Sequence, residues 1–521
     1  METTSVIQKS QKKKQKLNEE EDIDETSKNL GNLPEEILRH ILSFLPTKDA
    51  VGTSLLSKRW DYLWDSIPNL DFNLYGILRG KRKSKRTLFM NFVDRVLCLR
   101  DSYDIKRFAL CCDVTDELHD ASRVHMWISV AIKHNVQDLN INLEIFNGEF
   151  SLPYCLFTCE TLISLHLDMS GILKLPTTIC FSNLKVLTME NVTFSDEYLT
   201  QQFFSGLPVL EKLKLYICGW RNLKVVRISS PKLQFLSVVD FERPDWSNWE
   251  GCQVMISGVR LKEFHYRGLL FGEYCLYESF KLEKAEIDLH ESQADAHDRM
   301  HKLLTGLSNV QFLKLSSEVV MVLIHAEELL TNMPTFNNLK DLELNGTSLD
   351  LDCEALLKIL QSFPCLENLK ILRDINLLSS CEEDDRILCP VPPCFLSHLK
   401  WIKVNRYDVD EKKLSAIKFL LKKAIVLEEV VISSVNVGGN LEKQLKACKE
   451  KETNSGSSNL KDLVTEDVLQ SRDKKVTAPK ETKARFKAEK NRWSLRVNCK
   501  LDVISLLSRT QSGLWVRFVD F

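Results

Sequence analysis

Two histidines, His297 and His301, stand four residues apart in the stretch ADAHDRMH and could bind a metal ion. Four residues make about one helical turn, so both imidazoles would lie on one face of a helix, as zinc ligands do. The sequence indicates no third ligand and contains no HExxH motif. A solvated helix is therefore the preferred interpretation, and no metal and no cofactor are expected.

The motifs that support other kinds of chemistry are missing from the sequence. It contains no GxxxxGK[ST] phosphate-binding loop, no GxGxxG and no GxSxG nucleophile elbow. Its 16 cysteines include no CxxC pair, which argues against a zinc module or a disulfide framework. An enzyme is not expected, and no catalytic residue is nominated.

Length and charge narrow the class of protein further. A chain of 521 residues exceeds the usual size of a single core, so several domains or a repeat array are expected. Lysine plus arginine (70) nearly balance aspartate plus glutamate (72), which gives no whole-chain reason to bind nucleic acid or a membrane. The longest purely apolar run, Val319 to Ile324, is too short to span a bilayer. We expect an intracellular protein of the nucleus, the cytoplasm or both.

One apolar pattern recurs from about residue 105 to residue 432: an apolar residue, two others, an apolar residue, one other and an apolar residue. Thirteen copies begin at residues 105, 136, 162, 184, 210, 233, 261, 282, 310, 339, 366, 399 and 427. Their mean spacing of about 27 residues is typical of leucine-rich repeats. The predicted fold class is α/β, a solenoid with a curved parallel sheet of inward-pointing leucines and convex helices or loops.

A short helical segment precedes the repeats, from Leu33 to Trp64. Pro34 suits a first helical position, Pro46 ends that helix, and Thr47 is a plausible N-cap for a second one. The first helix carries an apolar stripe of five residues, Ile37, Leu38, Ile41, Leu42 and Leu45. So small a unit cannot close its own core, so a partner is expected to cover the surplus apolar surface.

Two stretches of this sequence carry a family resemblance. The first stretch closely resembles the F-box of the plant F-box/FBD/LRR-repeat proteins. It contains LPEEIL from Leu33, LSFLPTKDAV and TSLLSKRWDYLWDSIPNLDF. The stretch from Cys389 to Ile432 is similar to the FBD domain of the same family. The resemblance divides the chain into a disordered charged arm (1–30), an F-box (31–75), a basic linker and lead-in helix (76–104), leucine-rich repeats (105–385), an FBD domain continuing the repeat array (386–445), and a linker and tail of unassigned status (446–521).

Two basic runs lie within these segments. KSQKKKQK in the arm is either a nuclear import signal or simply part of a charged arm. RGKRKSKR, Arg79 to Arg86, is interpreted as a solvated loop, with a contact to phosphate or to an acidic peptide as the alternative.

The resemblance implies a non-catalytic role as the substrate-recognition subunit of a Skp/cullin/F-box-type E3 ubiquitin ligase. The F-box would bind a Skp-type adaptor and, through it, the cullin and the RING subunit. Family contacts carried over by position give the adaptor-binding residues Leu33, Pro34, Ile37, Leu38, Ile41, Leu45, Leu55 and Trp60. The alternative is that some apolar residues of this unit pack inward, above all Leu42, Leu56 and Trp64.

A protein substrate would bind the LRR/FBD surface, but its identity is not indicated. Residues that flank the inward leucines face the concave side of the sheet. This nominates Lys212, Lys214, Tyr216, Phe235, Glu263, His265, Arg267, Phe312, Lys314, Trp401 and Lys403. A simply solvated face is the alternative for each of them.

Two other functions remain open at this point. The repeats could form a ligase-independent scaffold for protein interactions, with a vestigial F-box. The concave face could also hold a small molecule, although the sequence contains no pattern for a deep pocket.

Overall fold

The computed structural model describes most of the chain between residues 33 and 434. The described ranges are 33–77, 82–100, 103–114, 119–145, 149–241, 251–290, 296–346, 349–372, 375–378, 390–404, 416, 420, 423–434 and 515–520. The predicted charged arm, the start of the RGKRKSKR run, much of the predicted FBD domain and nearly all of the tail lie outside them. The chain up to Leu339 and the chain from Lys340 form two compact units, which are described separately.

The first unit begins with short helices in residues 33–67, here called the N-terminal helical unit. Helix α1, Glu35–Leu42, starts directly after Pro34, and helix α2, Thr47–Gly52, directly after Pro46. Three 3₁₀ turns follow, at Thr53–Leu55, Lys58–Trp60 and Leu63–Ser66. Proline fixes φ and lacks an N–H group, so each proline both precedes a helix and prevents the chain before it from continuing as one.

Thr47 has a different role from the predicted N-cap. It is the first residue of α2, and no side chain caps that helix. The Thr47 hydroxyl oxygen instead accepts a hydrogen bond of 2.7 Å from the backbone N–H of Asp71. Since Thr47 is buried, this bond ties the helical unit to the strand that follows it.

That strand, β1 at Asn69–Asn73, was not predicted from the sequence. It pairs in parallel with β2, Arg107–Val114, so the sheet starts immediately after the helical unit. Helices α3, Leu74–Ile77, and α4, Arg82–Leu99, connect the two strands.

Helix α4 begins inside the basic run Arg79 to Arg86, which was predicted to be a solvated loop. Arg86, in its second turn, forms an ion pair with Asp120 and donates to the backbone carbonyl of Asp113. This part of the basic run is therefore engaged in the fold.

The sheet of the first unit continues through the repeats. The further strands of this unit, in chain order and in both of its sheets, are β3 Asp138–Ile145, β4 Glu149–Ser151, β5 Ser164–Lys174, β6 Val186–Phe194, β7 Lys212–Tyr216, β8 Gly219–Trp220, β9 Val225–Ile228, β10 Phe235–Asp240, β11 Gln253–Ser257, β12 Glu263–Gly268, β13 Glu273–Tyr277, β14 Lys284–Leu289 and β15 Phe312–Ser316. Parallel pairing runs in the order β1, β2, β3, β5, β6, β7, β10, β12, β14, β15, with β4 beside β5 and β8 beside β6.

Helices and a second sheet form the return segments between these strands. The helices are α5 His119–Lys133, α6 Glu197–Ser205, α7 Ala296–Gly306, α8 Ser317–His325 and α9 Glu327–Thr331. Strands β9, β11 and β13 form a separate parallel sheet, where only helices or loops were expected. In the same repeats, β10 and β12 belong to the main sheet.

The core of the first unit consists of the inward leucines and a layer of aromatic rings. Leu213 and Leu236, which are neighbours across β7 and β10, are fully buried. The rings of Phe194 and Trp220 stack with centroids 5.3 Å apart, and Phe203 lies 5.9 Å from Phe194. Such ring pairs fix the spacing of neighbouring repeats because they pack in a few preferred geometries.

Asp240 is one of the buried acidic residues of this unit. Asp240, at the end of β10, is only 3% exposed. Burial raises the pKa of its carboxyl to about 6, although hydrogen bonds from the hydroxyls of Tyr274 and Tyr266 act in the opposite direction. Both Tyr–Asp oxygen distances are 3.3 Å.

The second unit continues the same strand pattern. Its elements are β16 Asp341–Asn345, β17 Leu349–Asp352, α10 Cys353–Leu360, β18 Asn368–Ile371, β19 Ile375–Leu378, α11 Pro393–Ser397, β20 Trp401–Val404, β21 Glu429–Ser434 and β22 Trp515–Asp520. Strands β16, β18, β20, β21 and β22 pair in parallel in that order. Strands β17 and β19 form a separate pair.

The repeat prediction is confirmed strand by strand. Each of the thirteen sequence copies begins two residues before a strand of the main sheets. The predicted α/β class with a parallel repeat sheet is therefore correct. In the described part of the chain, no helix combines the length and the apolar character that crossing a membrane requires.

Candidate protein-interaction surfaces

The N-terminal helical unit presents large apolar side chains to solvent. Six of the eight nominated adaptor-binding residues are exposed or half-buried: Leu33, Pro34, Ile37, Ile41, Leu45 and Leu55. Leu55 is 92% exposed and Ile37 is 45% exposed. Pro34, Ile37 and Ile41 follow the i, i+3, i+7 spacing that puts side chains on one helical face. They form an apolar surface that the unit itself does not cover.

The other two nominated residues, Leu38 and Trp60, lie inside the helical unit. Leu38 is fully buried and Trp60 is only 7% exposed. Leu38 shares its face of α1 with Leu42, also fully buried, because the two are four residues apart. The structure therefore does not bring Leu38 and Trp60 to the surface with the other six.

The alternative that Leu42, Leu56 and Trp64 pack inward agrees with the structure for two of the three residues. Leu42 and Trp64 are buried, but Leu56 is 68% exposed. Trp64 also donates its indole N–H to the backbone carbonyl of Asp61, at 3.1 Å. Leu56 thus joins Leu55 on the surface.

Sequence reasoning missed two further exposed aromatic residues. Phe44 is 74% exposed and Tyr62 is 72% exposed. Phe44 follows the end of α1, and its ring lies edge-on to His40 at 4.9 Å. The available signal was its place between the end of α1 at Leu42 and the start of α2 after Pro46.

The nominated substrate-binding residues of the first unit lie in neighbouring rows on one face of the sheet. Along β7, Lys212 is exposed and Lys214 and Tyr216 are half-buried, while the leucines between them are buried. The strand register aligns residues of neighbouring strands in three rows that cross the sheet. The rows are Lys212–Phe235–Glu263–Lys284–Phe312, Lys214–Ser237–His265–Glu286–Lys314 and Tyr216–Val239–Arg267–Asp288. Because side chains alternate along each strand, all these residues share one face.

Charges and rings contact each other within these rows. Phe235 and His265 are 5.1 Å apart between ring centroids, and the Lys284 ammonium lies 5.4 Å from the Phe312 ring centroid. Lys284 also lies 2.6 Å from the Glu286 carboxylate. The pKa of His265 is lowered. Burial is the largest cause, and the Glu286 carboxylate acts in the opposite direction. The face is therefore aromatic with mixed charges.

The third row contains a paired arginine. Arg267 is exposed and lies 3.3 Å from the Asp288 carboxylate, and its Nε lies 3.1 Å from His290 Nε2. The guanidinium is also 5.9 Å from the Phe241 ring centroid. Arg267 is thus held in place while still exposed to solvent.

The same face carries carboxylates near its start that sequence reasoning did not nominate. The Tyr75 hydroxyl lies 2.7 Å from a Glu144 oxygen and also contacts Asp113. Asp168 accepts hydrogen bonds from the amides of Asn142 and Asn191, at 2.7 and 2.8 Å. No sequence motif brings these carboxylates together, because they lie on separate strands that are far apart in the sequence.

In the second unit, Trp401 lies at an open depression of about 500 Å³. The depression is lined by Asp341, Asn368, Lys370, Lys400, Trp401, Glu428 and Glu429. The Lys370 ammonium is 5.9 Å from the Trp401 ring centroid. Lys403 lies two residues further along β20, half-buried on the same face of the strand. These two nominated residues form a surface of their own in this unit.

Within the described ranges, no group of three or more His, Cys, Asp and Glu side chains is arranged to hold a metal ion. His301 instead lies with Nε2 3.0 Å from the backbone carbonyl of Asn332.

Comparison with known families agrees with this architecture. Residues 30–72 match the F-box domain model, and residues 96–468 match the model described as "At1g61320/AtMIF1, LRR domain". The second match covers more than two thirds of the chain.

Individual relatives come from Arabidopsis thaliana. The F-box/LRR-repeat protein At3g59200 is 30% identical over 440 residues, which is 77% of this chain and 81% of the relative. The F-box/FBD/LRR-repeat protein At5g56420 is 28% identical over 80% of this chain and 93% of its own length. The F-box/FBD/LRR-repeat protein At5g22700 is 30% identical over 77% of this chain and 91% of its own.

Proposed function

Since the chain belongs to the family of F-box/LRR-repeat proteins, we propose that it is the substrate-recognition subunit of a Skp/cullin/F-box-type ubiquitin ligase. F-box domains generally bind Skp-type adaptors. The adaptor would connect this chain to a cullin, a RING subunit and a ubiquitin-charged enzyme. We place this activity inside the cell, in the nucleus, the cytoplasm or both.

One observation supports the adaptor-binding part of this proposal most directly. The exposed Ile37, Leu45 and Leu55 leave apolar surface uncovered on a unit of fewer than 40 residues. An apolar patch of this kind marks a protein interaction site. Phe44 and Leu56 are further exposed apolar residues of the unit and are included in the proposed interface, whereas the buried Leu38 and Trp60 are not.

The substrate-binding part of the proposal relies on the rows of the repeat sheet. Aromatic residues and arginine are the usual anchors of protein interfaces, and Phe235, Phe312 and Arg267 stand among polar neighbours on one face. A bound substrate would be held near the ubiquitin thioester, which raises the effective concentration of its lysines. This mechanism requires no acid, base or nucleophile from the chain itself, and we assign it no catalytic residue.

Co-purification with a Skp-type adaptor tests the proposal. We expect the full chain to retain the adaptor and the double variant Ile37→Asp, Leu55→Asp to lose it, because a charge would be buried at the interface. Tyr198→Asp serves as the matched control, since Tyr198 is a 69% exposed apolar residue on α6, away from the helical unit.

Two outcomes would count against the proposal. If the full chain does not retain the adaptor while it remains folded, the ligase-independent scaffold becomes the better account. If both the double variant and the control retain the adaptor, the interface lies elsewhere.

A further inference from the structure

A set of equivalent turns lies at the amino-terminal edge of the first unit's sheet. In each turn, the N–H of the first inward leucine donates to the carbonyl three residues earlier. The pairs are Leu233 to Ser230 at 3.2 Å, Leu261 to Gly258 at 3.0 Å and Leu282 to Ser279 at 3.2 Å. These turns precede β10, β12 and β14, which are parallel neighbours, so all three lie at the same edge.

The two central residues of each turn are exposed to solvent. They are Pro231 with Lys232, Val259 with Arg260, and Phe280 with Lys281. Neighbouring strands of a sheet lie about 4.8 Å apart. The three cations therefore form one row, and the three apolar residues form a second row beside it. We call these six residues the cationic edge.

The cationic edge is confined to these three repeats. The corresponding turn before β7, closed by the Leu210 to Leu207 hydrogen bond, has Pro208 and Val209 at its centre. The turn before β15, closed by Val310 to Leu307, has Ser308 and Asn309. The turn conformation itself therefore requires neither a cation nor a large apolar side chain.

The positive charge of the edge is not neutralised within the described part of the chain. There, Lys232, Arg260 and Lys281 form no ion pair. The carboxylates that stand close to them in the sequence have other partners: Glu283 lies 3.7 Å from Lys262, and Glu278 accepts a hydrogen bond of 3.2 Å from Ser257.

The apolar row is unusually exposed for such residue types. Phe280 is 78% exposed and Val259 is 48% exposed. A large apolar side chain in the middle of charged neighbours is typical of an interface anchor. A nucleic acid fits less well, because the chain as a whole has a net charge of −2 and the apolar row would contact phosphates.

We propose that the cationic edge is a docking site for a protein segment that carries carboxylates next to a large apolar side chain. The carboxylates would pair with Arg260 and Lys281, and the apolar side chain would cover Phe280. This site lies at the edge of the sheet, apart from the proposed adaptor surface and from the face that carries Phe235, Arg267 and Phe312. It goes beyond the proposed function, since it would bind its partner whether or not the F-box binds an adaptor.

Fluorescence anisotropy with the full chain tests the site. The probe is a labelled peptide of alternating glutamate and leucine, compared with peptides of alternating glutamate and serine and of alternating lysine and leucine. We expect saturable binding of the first peptide only. The double variant Arg260→Glu, Lys281→Glu and the single variant Phe280→Ser are each expected to weaken it about tenfold or more.

Matched controls separate the site from general charge effects. Arg221→Glu, Lys224→Glu changes the net charge equally at exposed positions after β8, and Tyr198→Ser removes an exposed aromatic residue on α6. Both should bind the peptide like the parent, and all variants should keep the parent melting temperature.

Three results would overturn the proposal. They are no binding of the glutamate–leucine peptide to the parent chain, equal weakening by the control variants, and equally tight binding of an oligonucleotide.

Discussion

The hydroxyl oxygen of Thr47 accepts a 2.7 Å hydrogen bond from the backbone N–H of Asp71. Thr47 lies in helix α2 of the F-box, and Asp71 lies in β1, the first strand of the repeat sheet. The helical unit is therefore joined to the sheet by a part-buried hydrogen bond as well as by the chain. A fixed junction would hold adaptor and substrate at a constant separation, which suits catalysis by proximity.

Thr47→Val is expected to loosen this junction. The variant keeps the shape of the side chain but removes the acceptor of the Asp71 N–H, and the loss of this part-buried hydrogen bond is expected to cost about 0.5–1.5 kcal/mol. Thermal unfolding should show the loss, and hydrogen exchange at the Asp71 amide should accelerate. Ser43→Ala is the control, because the Ser43 hydroxyl is exposed and donates only to the nearby His40 carbonyl. Equal exchange at Asp71 in both variants would show that the bond does not secure the junction.

Core and surface leucines of the F-box should behave differently. Leu38→Ala removes a fully buried side chain and is expected to lower the free energy of unfolding by about 2–5 kcal/mol. Leu55→Ala changes a 92% exposed residue, so stability should stay within about 0.5 kcal/mol while adaptor affinity falls. Chemical denaturation and adaptor titration of both variants measure the two effects. Similar losses of stability in the two would contradict the assignment of Leu55 to the interface.

The buried carboxyl of Asp240 predicts a pH-dependent stability. Its pKa is raised from 3.8 to about 6 by burial, so between these values the folded chain binds more protons than the unfolded chain. The contribution of the Asp240 carboxyl to the free energy of unfolding therefore falls by on the order of 2–3 kcal/mol as pH rises from about 4 to 6. Above that pH it is constant.

Asp240→Asn isolates that contribution, because asparagine does not ionise. The difference in free energy of unfolding between the parent and the variant should change across pH 4 to 6 and level off above it. Denaturant titrations at a series of pH values measure this difference. A difference that is independent of pH would show that Asp240 does not titrate in this range.

Gly268 is a position where only glycine fits. Its φ is +147°, and an added Cβ would overlap the carbonyl oxygen of Asp240. Gly268→Ala is therefore expected to be severely destabilising. Gly52→Ala is the control, since no atom lies within 4 Å of the added Cβ and the backbone there is helical. Comparable melting temperatures for the two variants would contradict the close approach of β10 and β12 at this point.

The repeat register could be predicted from the sequence because the spacing of the apolar residues determines which side chains of each strand are buried. Leu213 and Leu215 alternate with polar residues, and only one register buries both. Strand β1 was missed because its sequence, NLDFN, contains only two of the three apolar positions. The sheet of β9, β11 and β13 was missed because those strands lie away from the leucine motif that defined each repeat.

The exposed face of α1, which belongs to the proposed adaptor interface, was harder to predict for a geometric reason. The apolar stripe of α1 is wide enough to cover two faces, one with Ile37 and Ile41, the other with Leu38 and Leu42. Sequence alone does not indicate which face the rest of the unit covers. In the structure the covered face is the one with Leu38 and Leu42, since both are buried together with Trp64.

Calorimetric titration of a Skp-type adaptor into the full chain is the most direct test of the proposed function. We expect saturable binding of one adaptor per chain, and we expect the double variant Ile37→Asp, Leu55→Asp to abolish it without a change in melting temperature. A folded parent chain that produces no heat of binding and no complex would contradict it.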